Sequence, residues 1–372
     1  MRPRRLRVGV VGCGLVAQVM HLHYLGELRD RFEVAALCDV SPATLAWAGS
    51  LFPHARRHAD WRDLLAEPLD AVLVLTPGSH EPVAVAAAEA GVHVFVEKPI
   101  AFSVVEAERM IEASARAGVR LVVGYMKRYD PAYEELRARH VPGGLRLVRV
   151  TTLESPLDPY VAHYPLVRGG VDPDVVADLV ADDERRVTEA IGTDDPLLRR
   201  AYRSLLLDSM VHELNAVRGL LGEPDELRHA HVHGAGEPAG ITALLAFGGV
   251  EAVFLWVDLP GIARYEQEIA LYAPDARVRL VFPSPFLRSA PTRLVLEGGQ
   301  AGSADGWSSE RVVGYDEAFR RELLELHACV VEDREPRTSG EDALRDVALC
   351  QAIVRAHAEG RPLPAPSEAA RV

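Results

Sequence analysis

The chain has 372 residues, with 41 lysines and arginines against 54 aspartates and glutamates, and a formal net charge of −13. That length fits two domains, and the 48% hydrophobic and 26% charged residues disfavour a disordered or fibrous protein. The acidic balance argues against a nucleic-acid partner, because a phosphate backbone would be repelled. No apolar run reaches the length of a membrane span, and the start of the chain does not have the pattern of a secretory signal. We therefore expect a cytoplasmic protein with no membrane partner.

Short apolar runs alternate with helical stretches over the first 125 residues. Such runs are typical of strands whose two faces are both covered. Helix signals lie between them, among them the capping box Ser103-x-x-Glu106 and a glycine, Gly118, at the place of a helix C-cap. The alternation predicts an α/β domain with a doubly wound parallel sheet over residues 1–125. The predicted strands are residues 6–11, 33–38, 71–75, 93–96 and 120–124.

A different pattern begins near residue 126. Longer runs with partial alternation follow, and Gly248-Gly249 between two of them predicts a hairpin turn. We expect a second, α+β domain over residues 126–360 with a mostly antiparallel sheet, and a flexible tail over residues 361–372. The predicted helices of this part lie at residues 172–191, 196–221, 316–331 and 339–358, the last opened by the capping box Thr338-x-x-Glu341.

A glycine-rich turn between the first strand and the first helix predicts a dinucleotide site. Residues 12–17 read G-x-G-x-x-A, in which Gly12 allows a tight turn, Gly14 lets the backbone approach a pyrophosphate, and Ala17 keeps the helix close to the sheet. Asp39 ends the second strand, where a ribose-binding carboxylate belongs. Such a carboxylate repels a 2′-phosphate, so NAD is favoured over NADP; the alternative is a solvated aspartate in the turn. The predicted contacts of the turn are Gly12, Cys13, Gly14, Leu15, Val16 and Ala17.

Two further places carry residues suited to catalysis. Lys98 follows the fourth strand and is expected to point into the cofactor crevice, because ligands bind beyond the carboxyl ends of parallel strands; a surface lysine at the start of a loop is the alternative. Asp208, His212 and Asn215 are spaced i, i+4, i+7, which places them on one polar stripe of a helix. That stripe admits three interpretations: a solvated helix surface, an aspartate–histidine metal pair, or general acid–base catalysis. We expect no metal site, because no third ligand has suitable spacing and the four cysteines are scattered.

Several motifs occur in an order that resembles the glucose–fructose oxidoreductase, inositol dehydrogenase and rhizopine catabolism oxidoreductase family. They are Gly12-x-Gly14-x-x-Ala17, Thr76-Pro77-x-x-x-His80, Glu97-Lys98-Pro99, Gly124-Tyr125-x-x-Arg128-Tyr129-x-Pro131, Asp208-x-x-x-His212-x-x-Asn215 and Arg337-Thr338-Ser339-Gly340-Glu341-Asp342-Ala343. The resemblance implies a Rossmann domain followed by an open-faced sheet that packs against another subunit, giving a homodimer or homotetramer. It implies redox chemistry on a secondary alcohol of a sugar or cyclitol.

The resemblance also assigns roles to individual residues. Lys98 corresponds to the family's catalytic lysine, and Asp208 and His212 to its catalytic pair. The implied cofactor contacts beyond the turn are Asp39, Thr76, Pro77, His80, Glu97, Lys98 and Arg128. Apart from the resemblance, we expect substrate contacts at Tyr125, Tyr160, His163, Tyr202 and Asn215. The acidic stretch at residues 171–191 departs from the family pattern as an apparent insertion, which puts the substrate in doubt.

Three functions are compatible with these observations. The leading one is an NAD-dependent dehydrogenase or ketoreductase that acts on a sugar, aminosugar or cyclitol. The second is a lyase or glycosidase that reduces NAD only transiently, and net release of NADH separates the two. The third is a non-catalytic dinucleotide sensor, which has no use for Lys98, Asp208 and His212.

Overall fold

The structure is a computed structural model that describes residues 4–361 and 363–364. Its strands, in chain order, are β1 (Leu6–Val11), β2 (Phe32–Cys38), β3 (Arg56–His58), β4 (Ala71–Val74), β5 (His93–Glu97), β6 (Leu121–Gly124), β7 (Leu147–Glu154), β8 (Glu226–Ala235), β9 (Glu237–Phe247), β10 (Val250–Asp258), β11 (Glu266–Tyr272), β12 (Ala276–Phe282), β13 (Arg293–Gly299), β14 (Gly306–Val312) and β15 (Leu363–Pro364). Its α-helices are α1 (Leu22–Glu27), α2 (Pro42–Leu51), α3 (Trp61–Leu65), α4 (Glu81–Glu89), α5 (Val104–Ala117), α6 (Pro131–Glu135), α7 (Asp158–Val161), α8 (Pro173–Ile191), α9 (Pro196–Arg200), α10 (Val211–Leu221), α11 (Ala318–Val331) and α12 (Gly340–Glu359). Three π-helical segments (Ala17–His21, Leu136–His140 and Ala201–Met210) and one 3₁₀ turn (Met126–Tyr129) complete the helical structure.

The chain forms two compact units. The first holds the described residues through 125 together with residues 163–190 and 319–347, and the second holds residues 126–162, 191–318 and the described residues from 348 onward. The acidic segment that the sequence assigns to the second domain therefore packs within the first unit. Of the predicted flexible tail, Leu363 and Pro364 pair with β8, while residues 362 and 365–372 lie outside the described residues.

The first unit is built on a six-stranded sheet in the order β3-β2-β1-β4-β5-β6, in which all strand pairs are parallel. This is the strand order of a doubly wound dinucleotide-binding fold, and it confirms the predicted fold class. β4 is buried along its whole length, as expected for a strand covered on both faces. β3 was not predicted, because its three residues, Arg56 to His58, are polar and largely exposed.

One predicted capping box is confirmed and the other is wrong. The Ser103 hydroxyl caps α5 by accepting from the backbone N–H of Glu106 at 3.2 Å. At α12, however, Ser339 accepts from the backbone N–H of Asp342, and Thr338 instead donates its hydroxyl hydrogen to the Val123 carbonyl. Thr338 cannot cap the helix because it is bound to the edge of β6, a long-range contact that a local motif does not reveal.

The second unit contains a nine-stranded sheet in the order β14-β13-β12-β11-β7-β10-β9-β8-β15. All its strand pairs are antiparallel except β7 with β10, which confirms the mostly antiparallel prediction. Along β10, Phe254 and Trp256 are buried while Val253 and Leu255 on the other face are half-buried. One face of the central strands therefore belongs to the core, and the opposite face is partly accessible.

A continuous helical stretch of the second unit runs from residue 196 to residue 221. It begins as α9, continues through the ten-residue π-helical segment Ala201–Met210, and ends as α10. The prediction of one long helix over these residues is confirmed, but the π-helical segment within it was not predicted. None of the helices in the described part of the chain is both long enough and apolar enough to cross a membrane.

Candidate active site

The glycine-rich turn after β1 has the geometry that a dinucleotide needs. Gly12 has a φ of 91°, and a Cβ there would lie 2.8 Å from the backbone nitrogen of Thr76, so only glycine fits. A Cβ on Gly14 would meet no protein atom within 4 Å, which leaves open space over the loop. The helical turn begins directly after Gly14, and its first N–H groups can hold a pyrophosphate in that space.

Asp39 is oriented by the backbone of two loops. One carboxylate oxygen accepts from the N–H of Cys13 and the other from the N–H of Ser41, each at 2.7 Å. The side chain is half-buried, so the carboxylate is fixed yet accessible to ribose hydroxyls. The Cys13 side chain faces the interior, where burial raises the pKa of its thiol, and Leu15 and Val16 are half-buried at the start of the helix.

His80 joins the loop after β4 to the loop after β5. Its imidazole nitrogens lie 2.9 Å from the Pro99 and Thr76 carbonyl oxygens, and the side chain is 2% exposed. Burial lowers the pKa of His80, although both carbonyls favour the charged ring. Thr76 is half-buried and Pro77 is exposed. Among these predicted cofactor contacts, the His80 ring is therefore engaged in holding the two loops together.

Glu97 and Lys98 end β5 in different environments. Glu97 is 7% exposed; it accepts from the Lys98 backbone N–H at 3.1 Å and bonds the His21 ring at 2.6 Å. Glu322 contributes to the same buried cluster, in which the potential ligand atoms of His21, Glu97 and Glu322 lie within 4.8 Å of one another. Lys98 is half-buried, and its peptide bond to Pro99 is cis. The sequence did not predict this cluster, whose members are far apart in the chain.

The predicted catalytic helix places its three polar residues unequally. Asp208 is exposed near the end of the π-helical segment, and His212 is half-buried one turn later in α10. Asn215 is fully buried, and its side-chain and backbone oxygens both accept from the Arg128 guanidinium at 3.2 Å. Arg128, a predicted cofactor contact, is therefore bound to this helix, and a Cβ on Gly219 would lie 2.4 Å from its guanidinium carbon.

Charged residues that the sequence did not predict surround this helix in the second unit. The Lys127 ammonium and the Glu213 carboxylate form a buried ion pair at 2.9 Å. Burial raises the pKa of Glu154 at the end of β7; Glu213 and Asp208 raise it further, and Lys127 opposes them. Asp208 therefore lies close enough to Glu154 for the two carboxylates to interact electrostatically.

The predicted substrate contacts fall into different settings. The Tyr160 hydroxyl accepts from the backbone N–H of Tyr265 at 2.6 Å, and Tyr202 is fully buried. His163 is exposed and packs its ring against Tyr164 at 4.0 Å. Tyr125 is 1% exposed. It is the last residue of the N-terminal segment of the first unit. Tyr125, Tyr160, His163 and Tyr202, together with Asn215 described above, remain predictions as substrate contacts.

Comparison with known proteins identifies the family. Residues 6–125 match the oxidoreductase family with an NAD-binding Rossmann fold. The chain is 32% identical over 237 residues to the inositol 2-dehydrogenase of Paracoccus denitrificans, a match that covers 61% of this chain and 68% of that protein. The chain belongs to the glucose–fructose oxidoreductase, inositol dehydrogenase and rhizopine catabolism family. It is also 29% identical over 376 residues to the D-apiose dehydrogenase of Paraburkholderia graminis, across 96% of this chain and 89% of that one.

The same fold occurs in the aldose–aldose oxidoreductase of Caulobacter crescentus, with a TM-score of 0.73 at 24% identity over 97% of this chain and 100% of that one. Membership in the glucose–fructose oxidoreductase family confirms the predicted enzyme class, a dehydrogenase acting on CH–OH groups with NAD as cofactor. The residues fit that cofactor, since the open space over Gly14 and the accessible Asp39 carboxylate suit its pyrophosphate and ribose.

Proposed function

We propose that the protein transfers a hydride between NAD and a secondary alcohol or ketone of a sugar, aminosugar or cyclitol. The observation that carries this proposal is the Asp208–His212 pair, an accessible carboxylate and a half-buried imidazole one helical turn apart. The relatives' names support it, because one is a sugar dehydrogenase and the other a cyclitol dehydrogenase. The first unit carries the proposed dinucleotide site and Lys98, and the second carries Asp208 and His212.

The roles follow from the chemistry of each side chain. NAD, when bound, supplies the hydride acceptor for a carbon that carries a hydroxyl group. His212 takes the hydroxyl proton, since an imidazole with an ordinary pKa of about 6.5 exchanges protons near neutrality. Asp208 orients that imidazole or binds a neighbouring hydroxyl. Lys98 hydrogen-bonds the reacting oxygen and stabilises the negative charge that develops on it.

A substrate panel with NAD tests the reaction class. Free sugars, aminosugars, cyclitols and nucleotide-linked sugars are each offered, and NADH formation is followed by its absorbance. We expect net NADH with at least one free sugar, aminosugar or cyclitol. Turnover of a substrate with no net NADH would instead identify a lyase or glycosidase that recycles the cofactor. NADH binding without turnover of any member would favour a dinucleotide sensor.

Substitutions test the residue roles. Lys98→Met and His212→Ala should each lower turnover by about 10²-fold or more, with little change in NADH affinity. Ser204→Ala is the matched control, because Ser204 is exposed on the same helical stretch and has no role in the proposal. Near wild-type turnover in both active-site variants would refute the assignment.

We also propose that the accessible face of the second sheet joins two or four copies of the chain. Val253 and Leu255 of β10 are half-buried on that face, and Val253 pairs with the half-buried Leu244 of β9. Apolar side chains on a sheet face are suited to burial against a second copy. Light scattering should show a dimer or tetramer for the wild type and smaller species for Leu255→Lys. A monomeric wild type would refute the proposal.

A further inference from the structure

The acidic segment of the first unit is bound to the loops that surround the dinucleotide crevice. Residues 163–172 lead into α8, in which Val187 is the buried residue. Two groups of hydrogen bonds connect this segment to the rest of the unit, one at residues 167–169 and the other at residues 182–186. Both groups end on residues that directly follow, or lie close after, strands of the parallel sheet.

The first anchor is made by backbone groups of the segment. The Gln18 side chain, 6% exposed, accepts from the Val167 N–H at 2.9 Å and donates to the Val167 carbonyl at 2.8 Å. The same amide group donates to the Cys13 carbonyl in the glycine-rich turn. The Ser41 hydroxyl donates to the Gly169 carbonyl at 2.6 Å. The segment is thus tied to the loops after β1 and β2.

The second anchor is an arginine that bridges three helices. The Arg186 guanidinium bonds Asp182 on its own helix, Glu81 at the start of α4, and Glu106 in the first turn of α5. Its side chain is 18% exposed and that of Glu106 is 6% exposed, so these are charge-assisted contacts largely removed from water. Beside it, a Cβ on Gly78 would lie 2.8 Å from a carboxylate oxygen of Asp183, so α8 lies directly on the loop after β4.

The two anchors lie on opposite walls of the crevice. Helices α1 and α2 connect β1 to β2 and β2 to β3, on one side of β1 in the sheet. Helices α4 and α5 connect β4 to β5 and β5 to β6, on its other side. Right-handed crossovers then place the two pairs on opposite faces of the sheet. The crevice opens at the carboxyl ends of β1 and β4, where the strand order reverses. Between Gly169 and Arg186 the chain passes from one wall to the other.

We propose that residues 167–186 form a strap that closes over bound NAD, and that Arg186 is the positioning residue that must release before the cofactor exchanges. The inference rests on the proposed function only in taking NAD as the group that occupies the crevice. The strap slows dissociation of the cofactor without touching the reacting atoms, so its loss changes cofactor release more than the chemical step. The acidic segment is thereby an element of the cofactor site.

The first test measures NADH release by stopped-flow fluorescence after displacement with excess NAD. Arg186→Ala should release NADH about 10- to 100-fold faster, the range expected for loss of a charge-assisted hydrogen bond. Arg185→Ala is the matched control and should release NADH at the wild-type rate. Among the described residues, Arg185 bonds only Asp182 and Glu189 of its own helix. Arg186→Lys should be intermediate, since one ammonium cannot reproduce the guanidinium's fork of contacts.

A lower melting temperature of Arg186→Ala with an unchanged release rate would show a structural role and overturn the proposal.

The second test uses the wild-type chain, so it decides the matter even where that variant fails to fold. Hydrogen exchange of residues 167–186 should slow by about tenfold or more when NAD is added. Protection of the glycine-rich turn without protection of this segment would equally overturn the proposal. Neither test uses turnover, so a failed substrate panel leaves both outcomes readable.

Discussion

The choice between NAD and NADP is expected to depend on Asp39. Each of its carboxylate oxygens accepts one backbone N–H at 2.7 Å, from Cys13 and from Ser41. A carboxylate has about four lone-pair sites, so the two oxygens can still accept ribose hydroxyls while the N–H groups hold them in place. The substitution Asp39→Ala removes both the acceptors and the negative charge that repels a 2′-phosphate.

The magnitude follows from these contacts. Loss of one hydrogen bond to a charged acceptor costs about 1.5–3 kcal/mol, which weakens NAD binding about 10- to 100-fold. NADP is not expected to hydrogen-bond Asp39, because its 2′-phosphate is repelled by the carboxylate. The substitution therefore removes only that repulsion from NADP binding. The ratio of the NADP and NAD dissociation constants should therefore fall at least about tenfold in Asp39→Ala.

Fluorescence titration with NADH and NADPH measures both constants. Asp60→Ala is the matched control, because Asp60 is an exposed loop carboxylate that caps α3 by accepting from the Arg62 N–H. Its ratio should equal that of the wild type. An unchanged ratio in Asp39→Ala would show that Asp39 has no part in cofactor selection, even if both affinities fell because the turn had loosened.

Three further predictions concern buried or rare ionisable groups. Lys127→Met leaves the carboxylate of Glu213, 1% exposed, without its ion pair and should lower the free energy of unfolding in urea by about 3–5 kcal/mol; Lys127→Met combined with Glu213→Leu should recover most of it. Burial lowers the pKa of His80, so below about pH 6.5 the unfolded chain binds a proton at this residue more readily than the folded chain does. The melting temperature should therefore fall as the pH drops through that value. It should fall less in His80→Gln. Lys98 and Lys127 are the chain's only lysines. An amine-selective reagent should therefore inactivate the enzyme, and peptide mapping should find the modification at Lys98. Inactivation of a protein whose Lys98 is unmodified would contradict the proposed role of Lys98.

The sheet of the first unit and its cofactor turn could be predicted because their signals are local. The strands are short apolar runs between helix caps, and Gly12 and Asp39 lie at fixed places in one strand–helix–strand unit. The Ser103 cap is equally local, since donor and acceptor are three residues apart. Each of these features depends on neighbours that the sequence shows side by side.

The helix that carries the proposed catalytic pair shows why periodicity alone was insufficient to predict which side chains are buried. Asp208, His212 and Asn215 were assigned one stripe on the assumption of a regular α-helix. The π-helical segment ends at Met210, between the first and second of these residues, and its wider turn changes the direction in which later residues point. Asn215 lies in the interior, where its backbone and side-chain oxygens accept from Arg128. No local pattern signals that contact, because the two residues are 87 positions apart.

The contacts of the acidic segment are likewise distant in sequence and were not predicted. They join two features of the predicted cofactor site. The sequence assigned the segment to the second domain, whereas its hydrogen bonds lead to the loops of the first unit. Ser41 connects the two features, since its backbone N–H donates to Asp39 and its hydroxyl donates to Gly169 of the strap. The residue that donates to the Asp39 carboxylate therefore also holds the strap, and opening the strap removes one restraint from the Ser41 side chain.

Part of the chain's net charge of −13 lies in the strap. The composition alone argued only against nucleic acid as a partner. The strap carries six carboxylates, on Asp172, Asp174, Asp178, Asp182, Asp183 and Glu184, and three arginines, Arg168, Arg185 and the Arg186 anchor. With six carboxylates against three arginines, a closed strap would add net negative charge to the crevice, in which we expect Asp39 to repel a 2′-phosphate. We therefore expect both Asp39 and the closed strap to favour NAD, the less charged dinucleotide.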